Sequence, residues 1–513
     1  MRSSVLLAAL AAALFVCGCK PLGSSSSSGG SGGPGTGPGT TAPAQLRRDG
    51  RWLVDPQGRV VLIHGVNTVW KNPPYYPPAS AEGFTAADAQ WLYDHGFNGA
   101  RIGTLWVGVT PHAPGEVDQN YLAAWDRVIQ LMAAKQIWML FDFHQDMMTP
   151  EFQGEGFPEW AVPPLKGPVN TILPPPMFGF PFNYFTPQVS ELYDNLWAER
   201  GTVWDGFRDA WKAVAAKWKN QPYHMGYDLM NEPWAGQEFP ACIFLYGIGC
   251  PSSDSNEIQP FFEHAIAGIR EIDRNNIVWM ESQLLAGGTG YPTGLGPVAG
   301  ESQLGYSFHN YCPLNALFQA AQLGLITGSL PVDTCESFEN NVMNQARTTA
   351  ERMGAVELMT EFGASDDLAL IRRVTAAADA HLIGWHYWHY KNWSDPTTQS
   401  QASGAQGMFT DDADLTTVKL DKLRLLERTY PQATAGIPLE LSFNPDTAEF
   451  NYRYTPRAAT APTEIYVPVA LHYPQGYTVQ VTGATVQSAP NAPRLLLANN
   501  PGATEVTVSV TRP

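Results

Sequence analysis

Eight short and almost uninterrupted apolar runs recur between residues 64 and 388, and longer stretches, several with helical spacing, separate them. Strands that are apolar on both faces and alternate with helices such as Tyr121–Lys135 and Asp367–His381 are typical of a parallel sheet covered by helices. Eight such units fit a closed barrel better than an open sheet, and no Gly-rich dinucleotide fingerprint follows the first run. The pattern therefore predicts a (β/α)8 TIM barrel. Its predicted strands are His64–Asn67, Asn98–Gly103, Ile137–His144, Tyr227–Glu232, Asn276–Glu281, Tyr306–Tyr311, Ala355–Glu361 and Ile383–Trp388.

The pattern changes on both sides of these eight units. Two apolar stretches around a Pro/Gly turn, at Arg51–Ile63, indicate a hairpin that leads into the first barrel strand, so we expect the barrel domain to span residues 46–432. Residues 433–513 carry alternating, β-branched and aromatic segments between turns, which predicts a small all-β sandwich. Such a domain either binds carbohydrate or supports the barrel, and fold alone does not decide between these roles.

The first 45 residues are expected to lie outside the fold. Arg2 precedes an apolar run that is too short to span a membrane and ends at Cys17-Gly-Cys19. This end resembles a bacterial lipobox with Cys19 as the lipidated residue, and ordinary secretion is the alternative. Residues 20–45 are dominated by Ser, Gly, Thr and Pro, which is typical of a flexible tether. We therefore expect residues 1–19 to be a signal peptide and the protein to be exported, as an outer-membrane or cell-surface lipoprotein or in secreted form.

The net charge of the chain limits the classes of molecule that it is expected to bind. The formal net charge of −17 argues against nucleic acid and against electrostatic docking on anionic lipid, and we expect a monomer.

Four cysteines remain after the leader, in an exported protein where disulfides persist. Among the three possible connectivities we expect the local pairs Cys242 with Cys250 and Cys312 with Cys335. Zinc ligation by these cysteines is the rival, and the lack of a CxxC spacing argues against it. We expect no cofactor.

Two glutamates, Glu232 and Glu361, each end an apolar run that reads as a buried barrel strand. Catalytic groups of such barrels sit at the C-terminal ends of strands, so these distant residues are expected to converge. Two converging carboxyl groups suggest glycoside hydrolysis, in which one stays protonated and the other ionised. The chain here resembles the glycoside hydrolase clan that carries an acid/base after strand 4, in an Asn-Glu-Pro motif, and a nucleophile after strand 7. The resemblance implies Glu232 as acid/base and Glu361 as nucleophile.

Other polar and aromatic residues end the remaining predicted strands in phase with the two glutamates. Arg101 is expected to hold the nucleophile ionised, and Asn231 to donate to the sugar 2-hydroxyl. Tyr311 is placed to hydrogen-bond Glu361, and Trp388 to stack on the sugar. Each is more often a core residue when taken alone, but together they indicate one network. Two histidines, His144 and His309, complete it, and Glu281 receives only a polar-network role.

Longer motifs narrow the resemblance. Four stretches, residues 64–77, 140–146, 152–161 and 229–236, resemble the endoglycoceramidase group of family 5 glycoside hydrolases. The likeness runs from about residue 46 to the end. It implies retaining hydrolysis of the β-glycosidic bond that joins a glycan to ceramide, without a metal. It also implies that four side chains hold the first sugar, and we add the tryptophan of the Asn-Glu-Pro-Trp string to the substrate-binding residues. These five residues are Lys71, Asp142, His144, Asp146 and Trp234.

Residues 161–190 form a long apolar loop with five aromatic residues and almost no charge. Loops of this length are usually functional or disordered. On the active face the loop would line a slot for lipid tails or touch a bilayer, which together with the lipid anchor makes a membrane a candidate partner. A satellite core under the barrel rim is the alternative.

The leading hypothesis is a retaining glycosidase that acts on glycosphingolipids. A glucosidase for another lipid glycoside, such as a steryl glucoside, and a polysaccharide endoglucanase are alternatives of the same class. A non-catalytic surface lipoprotein that binds glycan is the alternative of another class. The intact glutamate pair argues against it, because a binding module has no need of both.

Overall fold

The structure, a computed structural model, describes residues 44–165, 183–239, 241–242, 249–312, 333–397 and 404–513. The predicted leader, the predicted lipidation site Cys19, most of the predicted tether and residues 166–182 of the apolar loop lie outside these ranges. In the part of the chain that is described, no helix combines the length and hydrophobicity needed to cross a bilayer.

The described residues contain nineteen β-strands and twelve α-helices. The strands are β1 (Arg47–Asp49), β2 (Trp52–Val54), β3 (Val60–Val61), β4 (His64–Thr68), β5 (Gly99–Gly103), β6 (Trp138–Asp142), β7 (His224–Asp228), β8 (Val278–Glu281), β9 (Leu304–Asn310), β10 (Val356–Gly363), β11 (Trp385–Trp388), β12 (Tyr430–Thr434), β13 (Gly436–Asn444), β14 (Glu449–Pro456), β15 (Thr463–Tyr466), β16 (Thr478–Thr482), β17 (Ala484–Val486), β18 (Arg494–Asn499) and β19 (Val506–Thr511). The helices are α1 (Ala86–Asp94), α2 (Trp106–Val109), α3 (Gln119–Ala133), α4 (Pro187–Ala198), α5 (Thr202–Trp218), α6 (Pro251–Ser253), α7 (Gln259–Ile272), α8 (Leu284–Thr289), α9 (Asp333–Met353), α10 (Leu368–His381), α11 (Leu420–Leu426) and α12 (Val469–His472).

Strands β4 to β11 close into a parallel eight-stranded barrel, which confirms the predicted (β/α)8 fold. Every residue of these strands is buried, as expected when side chains fill the barrel interior on one side and contact helices on the other. The helices begin where the sequence supplies caps. Asp118 and Asp367 each accept two backbone N–H groups, at the first turns of α3 and α10.

The strand that leads to Glu232 ends earlier than predicted. β7 stops at Asp228, and Glu232 has a φ of 42°, in the left-handed region. A strand cannot continue through such a residue, and a non-glycine residue in this conformation costs of the order of 1 kcal/mol or more. Glu232 therefore stands on a tight turn beyond the strand, where the surrounding hydrogen bonds must hold it.

The C-terminal domain consists of two antiparallel sheets that share one apolar core, which agrees with the predicted sandwich. One sheet has the order β13-β14-β19-β16, and the other has the order β1-β2-β3-β12-β15-β18-β17. The N-terminal hairpin thus belongs to this second sheet, because β3 pairs with β12 through Val61 and Ala433. This pairing joins residues more than 370 positions apart, which the local pattern around Arg51–Ile63 does not reveal.

The β-domain packs on the face of the barrel where its strands begin. The ring of Tyr430 stacks on His64, with ring centroids 3.7 Å apart, and its hydroxyl donates to the carbonyl of Gly96 at 2.7 Å. A Cβ atom at Gly96 would come within 2.4 Å of the Tyr466 ring, so this contact requires glycine. Catalytic groups of TIM barrels lie at the opposite ends of the strands. The β-domain therefore contacts the barrel at the end opposite to the expected catalytic groups.

Candidate active site

Glu232 and Glu361 converge at the C-terminal mouth of the barrel. Nδ1 of His309, on β9, lies 2.7 Å from Oε1 of Glu232 and 3.6 Å from Oε2 of Glu361. The two carboxyl oxygens cannot be farther apart than the sum of these two distances. That sum is below the separation of about 6.5–9.5 Å that leaves room for a water molecule in inverting glycosidases. This limit applies to one oxygen of each carboxyl group, and it is compatible with the separation of about 5–5.5 Å at which one carboxylate attacks directly.

Glu361 makes the contacts predicted for it with Arg101 and Tyr311. Nη1 of Arg101 donates to Oε1 at 2.7 Å, and the Tyr311 hydroxyl donates to Oε2 at 3.2 Å. Burial raises the pKa of Glu361, while His309 and the Arg101 guanidinium lower it. Two donors on the carboxylate oxygens favour its ionised form.

Among the described residues, no arginine forms an ion pair with Glu232. Burial is the largest cause that raises its pKa to about 8, and the negative charge of Asp146 adds to the rise. A carboxyl group with this pKa is largely protonated at neutral pH, as a general acid must be. The environments of Glu232 and Glu361 thus assign the proton to Glu232.

Arg101 is the centre of a buried ionic network below the carboxyl pair. Its guanidinium lies 3.1 Å from Asp142 Oδ1 and 2.9 Å from Asp228 Oδ2, in addition to its contact with Glu361. Nη1 and Nη2 also donate to Oδ1 of Asn231, at 3.1 and 3.0 Å. The surrounding acids raise the pKa of Arg101 although burial alone would lower it. The fork geometry of arginine lets one cation serve all of these acceptors.

The turn that carries Glu232 is held by side chains from neighbouring strands. Nε2 of Gln145 donates to the carbonyl groups of Asn231 and Glu232, at 2.7 and 3.1 Å. Oε2 of Glu281 accepts the backbone N–H of Glu232 at 3.2 Å. Asn231 Nδ2 donates one hydrogen to the carbonyl of Gln145, at 3.1 Å. The second hydrogen of this amide is the one that a sugar 2-hydroxyl contact would use.

Lys71 forms a second buried ionic cluster. Its Nζ lies 2.5 Å from Asp146 Oδ2 and 2.7 Å from Thr397 Oγ1, with Asp395 and Glu155 at 3.6 and 3.7 Å. Burial alone would lower the pKa of Lys71, but the three acids raise it well above its ordinary value. Burial raises the pKa of Glu155, whereas Lys71 and His144 outweigh burial and lower that of Asp146. The cluster therefore contains a persistent cation beside an ionised aspartate.

His144 and Trp388 join the two clusters. Nδ1 of His144 lies 2.8 Å from Oδ2 of Asp142, and the imidazole stacks on the Trp388 indole with centroids 5.1 Å apart and planes 21° apart. Lys71 Nζ lies 4.7 Å from the centre of the same indole. The structure thus brings five of the predicted substrate-binding residues into one patch: Lys71, Asp142, His144, Asp146 and Trp388.

Trp234 is placed differently. Its side chain is fully buried, packs against Tyr184 and Phe239, and donates its indole N–H to Ser190 at 3.1 Å. These contacts are those of a core residue, so sugar binding by Trp234 stays a prediction. The expected disulfides Cys242–Cys250 and Cys312–Cys335 are both present, in the loops that follow β7 and β9.

Two groups of side chains have the composition of a metal site, with ligand atoms within 4.8 Å of one another. One contains His144, Asp146 and Glu155, but the Lys71 ammonium lies 2.5 Å from Asp146 and already supplies the positive charge there. The other contains Glu232 of the carboxyl pair together with Glu281 and His309.

Sequence reasoning missed several residues that support the site. Gln145 lies in the stretch that begins at Leu140, and Asp228 directly precedes the stretch that begins at Leu229; a buried polar residue at a strand end was the available signal. Glu155 lies in the stretch that begins at Phe152, but its approach to Lys71 depends on how a loop folds back over the barrel mouth. Asp395 and Thr397 follow the last strand in a polar segment whose sequence has no distinguishing pattern.

Comparisons with known proteins show that the chain is similar to glycoside hydrolases. Residues 54–394 match the cellulase family, glycosyl hydrolase family 5, and residues 428–511 match the glycoside hydrolase family 5 C-terminal domain. Endoglycoceramidase I of Rhodococcus hoagii (strain 103S) is 34% identical over 91% of this chain and 88% of its own length. The endoglycoceramidase of Cyanea nozakii is 27% identical over 84% of this chain and 85% of its own length.

Solved structures show the same likeness. Endo-glycoceramidase II from Rhodococcus sp. is 27% identical to this chain and has a TM-score of 0.71. The match covers 90% of this chain and 99% of that one. That protein has also been solved as a lactosyl-enzyme intermediate and as a complex with ganglioside GM3, with TM-scores of 0.69 and 0.70. The chain belongs to glycoside hydrolase family 5. Within this family it is an endoglycoceramidase-like enzyme.

Proposed function

We propose that this enzyme cleaves the bond between the glycan and the ceramide of glycosphingolipids and retains the configuration of the released sugar. The observation that carries the retaining mechanism is the single His309 nitrogen that contacts both carboxyl groups, because it limits their separation. The lactosyl-enzyme intermediate of the related Rhodococcus protein supports a covalent mechanism. The GM3 complex of that protein supports a glycosphingolipid substrate.

The first step breaks the glycosidic bond. The Glu361 carboxylate attacks the anomeric carbon, and the bonding electrons pass to the leaving oxygen, which takes the proton of Glu232. The leaving product is then a ceramide alcohol, and the glycan is an ester of Glu361. Arg101 and Tyr311 keep Glu361 ionised until attack, and the carboxylate loses its negative charge when its oxygen forms the ester bond.

The second step returns the enzyme to its starting state. Glu232, now ionised, takes a proton from a water molecule, and the oxygen of that water attacks the anomeric carbon. The ester bond to Glu361 breaks, which frees the carboxylate and the glycan. A raised pKa suits both roles, because the same carboxyl group must give up a proton and later recover one.

The patch of Lys71, Asp146 and His144 is proposed to bind the hydroxyl groups of the first sugar, while Trp388 stacks on its ring. Fixed charges at buried sites discriminate strongly between sugars, because a mispositioned hydroxyl leaves a charged partner unsatisfied. Nε2 of His144 makes no hydrogen bond with the described residues, with Oδ2 of Asp146 3.6 Å away, and a substrate hydroxyl is proposed to bind to it.

The lipid end is proposed to lie beside residues 162–165, at the start of the predicted apolar loop. These four residues border a cleft of about 690 Å³ together with Phe152 and Leu192, and Thr149, Glu151 and Glu159 add polar groups to its lining. Apolar side chains along a cleft suit an acyl chain. We also propose export through the N-terminal leader and attachment to a membrane through Cys19, which would keep the enzyme near lipid substrates.

Product analysis tests the substrate. The protein is incubated separately with a defined ganglioside, a glucosylceramide, a steryl glucoside and a soluble β-glucan. We expect an intact oligosaccharide and free ceramide from the ganglioside. Release of sterol alone, or of short glucans alone, would contradict the proposed substrate and leave the hydrolase assignment intact.

A further inference from the structure

Glu281 ends β8 beneath the turn that carries Glu232, and only 1% of its surface is exposed. Its two carboxyl oxygens face different neighbours. Oε2 accepts the backbone N–H of Glu232, whereas Oε1 lies 3.5 Å from Nε2 of His309. Glu281, His309 and Glu232 thus form a chain in which the imidazole stands between two carboxyl groups.

Two atoms of this Glu281–His309–Glu232 series lack hydrogen bonds in the described structure. Glu281 Oε1 and His309 Nε2 are both buried and unpaired, and they face each other. An unpaired buried polar atom costs about 1–3 kcal/mol, so a small movement that joins the two is favourable. The bond requires one proton between them, on the carboxyl oxygen or on the imidazole nitrogen.

We infer that Glu281 is a positioning residue that donates the O–H on its Oε1 to Nε2 of His309 and thereby selects the imidazole tautomer with the proton on Nδ1. His309 Nδ1–H then donates to Oε1 of Glu232, across the observed 2.7 Å contact. Oε1 of Glu232 serves as an acceptor, so the acidic proton resides on Oε2. This inference rests on the proposed glycosidase mechanism and assigns the oxygen that protonates the leaving group.

The acceptor pattern on Glu281 supports this assignment. Oε2 already accepts an N–H group, which leaves Oε1 as the oxygen that carries a hydroxyl hydrogen. The ionisable groups around the carboxyl are Arg101, with Nη2 at 3.9 Å, and the carboxyls of Asp228, Glu232 and Glu361. Burial raises the pKa of Glu281 well above its ordinary value, while Arg101 lowers it and the three acids raise it further.

The state of His309 is consistent with a single ring proton. Burial lowers its pKa to about 4, so the imidazole is neutral at neutral pH and one nitrogen must be an acceptor. If Glu281 were ionised, Nε2 would carry the proton and Nδ1 would accept from Glu232. The acidic proton of Glu232 would then point at His309 and away from the substrate. The two tautomers therefore predict opposite outcomes for a neutral replacement of Glu281.

Glu281→Gln and Glu281→Leu separate these outcomes. A glutamine can donate N–H to Nε2 while its carbonyl accepts the Glu232 N–H, whereas leucine does neither. Asp254 is another buried carboxyl group, and it contacts Thr293 and Gln283. Asp254→Asn is therefore the control for the general effect of disturbing a buried hydrogen-bond network. The readouts are kcat and kcat/KM for aryl β-lactosides with leaving groups of increasing pKa, and the melting temperature.

We expect Glu281→Leu to lose about a hundredfold in kcat on a phenyl glycoside and less than about tenfold on a dinitrophenyl glycoside, which needs little protonation. Glu281→Gln should recover most of this loss. An equal loss of kcat in Glu281→Leu and Glu281→Gln would overturn the inference. An equal loss of kcat on both substrates, with a melting temperature as low as that of Asp254→Asn, would also overturn it. A wild-type protein inactive on every aryl glycoside would contradict the glycosidase proposal itself.

Discussion

Nη1 of Arg101 lies 2.7 Å from Oε1 of Glu361, and both side chains are almost completely buried. This contact connects the proposed nucleophile to an ionic network that includes Asp142 and Asp228. A buried pair of this kind contributes little net stability, because both ions lose their hydration. Its value here is to favour the charged form of Glu361 in a site that otherwise favours the neutral form.

Arg101→Lys should reduce kcat/KM by at least about a hundredfold. Lysine keeps the positive charge but cannot contact Glu361, Asp228 and Asn231 together, because its donors diverge from one point. The pKa of Glu361 should rise, so the acidic limb of the pH profile moves to higher pH. Arg352→Lys, which changes contacts to backbone carbonyl groups elsewhere, is the control. An unchanged acidic limb in Arg101→Lys would refute this role.

Glu232→Gln should discriminate between leaving groups. We expect kcat/KM to fall by about 10²–10⁴-fold for natural glycolipid and phenyl glycosides, because the leaving oxygen needs a proton. A dinitrophenyl glycoside should form its glycosyl-enzyme at nearly the normal rate, since its leaving group is a weak base. Rapid-mixing measurements of the burst separate this step from turnover. A uniform loss across leaving groups would mean that Glu232 is not the acid.

The activity should show a bell-shaped dependence on pH. Glu232 must be protonated in the free enzyme, and its pKa of about 8 predicts that kcat/KM falls as the pH rises above about 8. Glu361 must be ionised, and its raised pKa places the acidic limb above the ordinary range of glutamate. In Glu232→Gln the alkaline limb should disappear for a dinitrophenyl glycoside. Persistence of that limb would assign it to another group.

Glu232→Gln should also be more stable than the wild type at neutral pH. The folded protein holds this proton up to pH about 8, whereas the unfolded chain releases it near the ordinary value of 4.5. The folded state therefore binds more protons between these values, and wild-type stability falls as the pH rises through this window. Each unit of pKa shift corresponds to about 1.4 kcal/mol, so a gain of at least about 1 kcal/mol is expected at pH 7.

Denaturant unfolding at pH 4, 6 and 8 measures this gain. The difference between Glu232→Gln and the wild type should be near zero at pH 4 and should increase with pH. The exposed Glu263→Gln is the control, with a change of less than about 0.5 kcal/mol at every pH. A difference that is independent of pH would mean that ionisation of Glu232 is not the cause.

The barrel was predictable because each strand is a compact apolar run and because its helices begin at clear caps such as Asp118. The hairpin at Arg51–Ile63 was predictable too, since β2 and β3 pair as expected. Its place in the second sheet was not, because its partner β12 lies near the other end of the chain. Local patterns report which residues form strands, but pairing between distant strands depends on the assembled sheets.

The carboxyl pair and the residues around it were predictable because barrel topology brings strand ends together, and Arg101, His309 and Tyr311 occupy those ends. The role of Glu281 was not predictable in this way. Its significance depends on which oxygen faces His309 and which faces the turn of Glu232, and such orientations arise only from packing. Glu155 is a similar case, because its nearness to Lys71 depends on the fold of a loop.

The central claim is that Glu361 forms a covalent bond to the sugar, and the most direct test is to trap that bond. A 2-deoxy-2-fluoro lactosyl fluoride slows both steps through its 2-fluorine, while its fluoride leaving group keeps the first step fast enough to accumulate the intermediate. Mass spectrometry of the intact protein and of its peptides then locates the label. We predict one fluorolactosyl group per chain, attached to Glu361 and absent in Glu361→Gln. A label on another residue, or continued turnover with no label, would contradict the account.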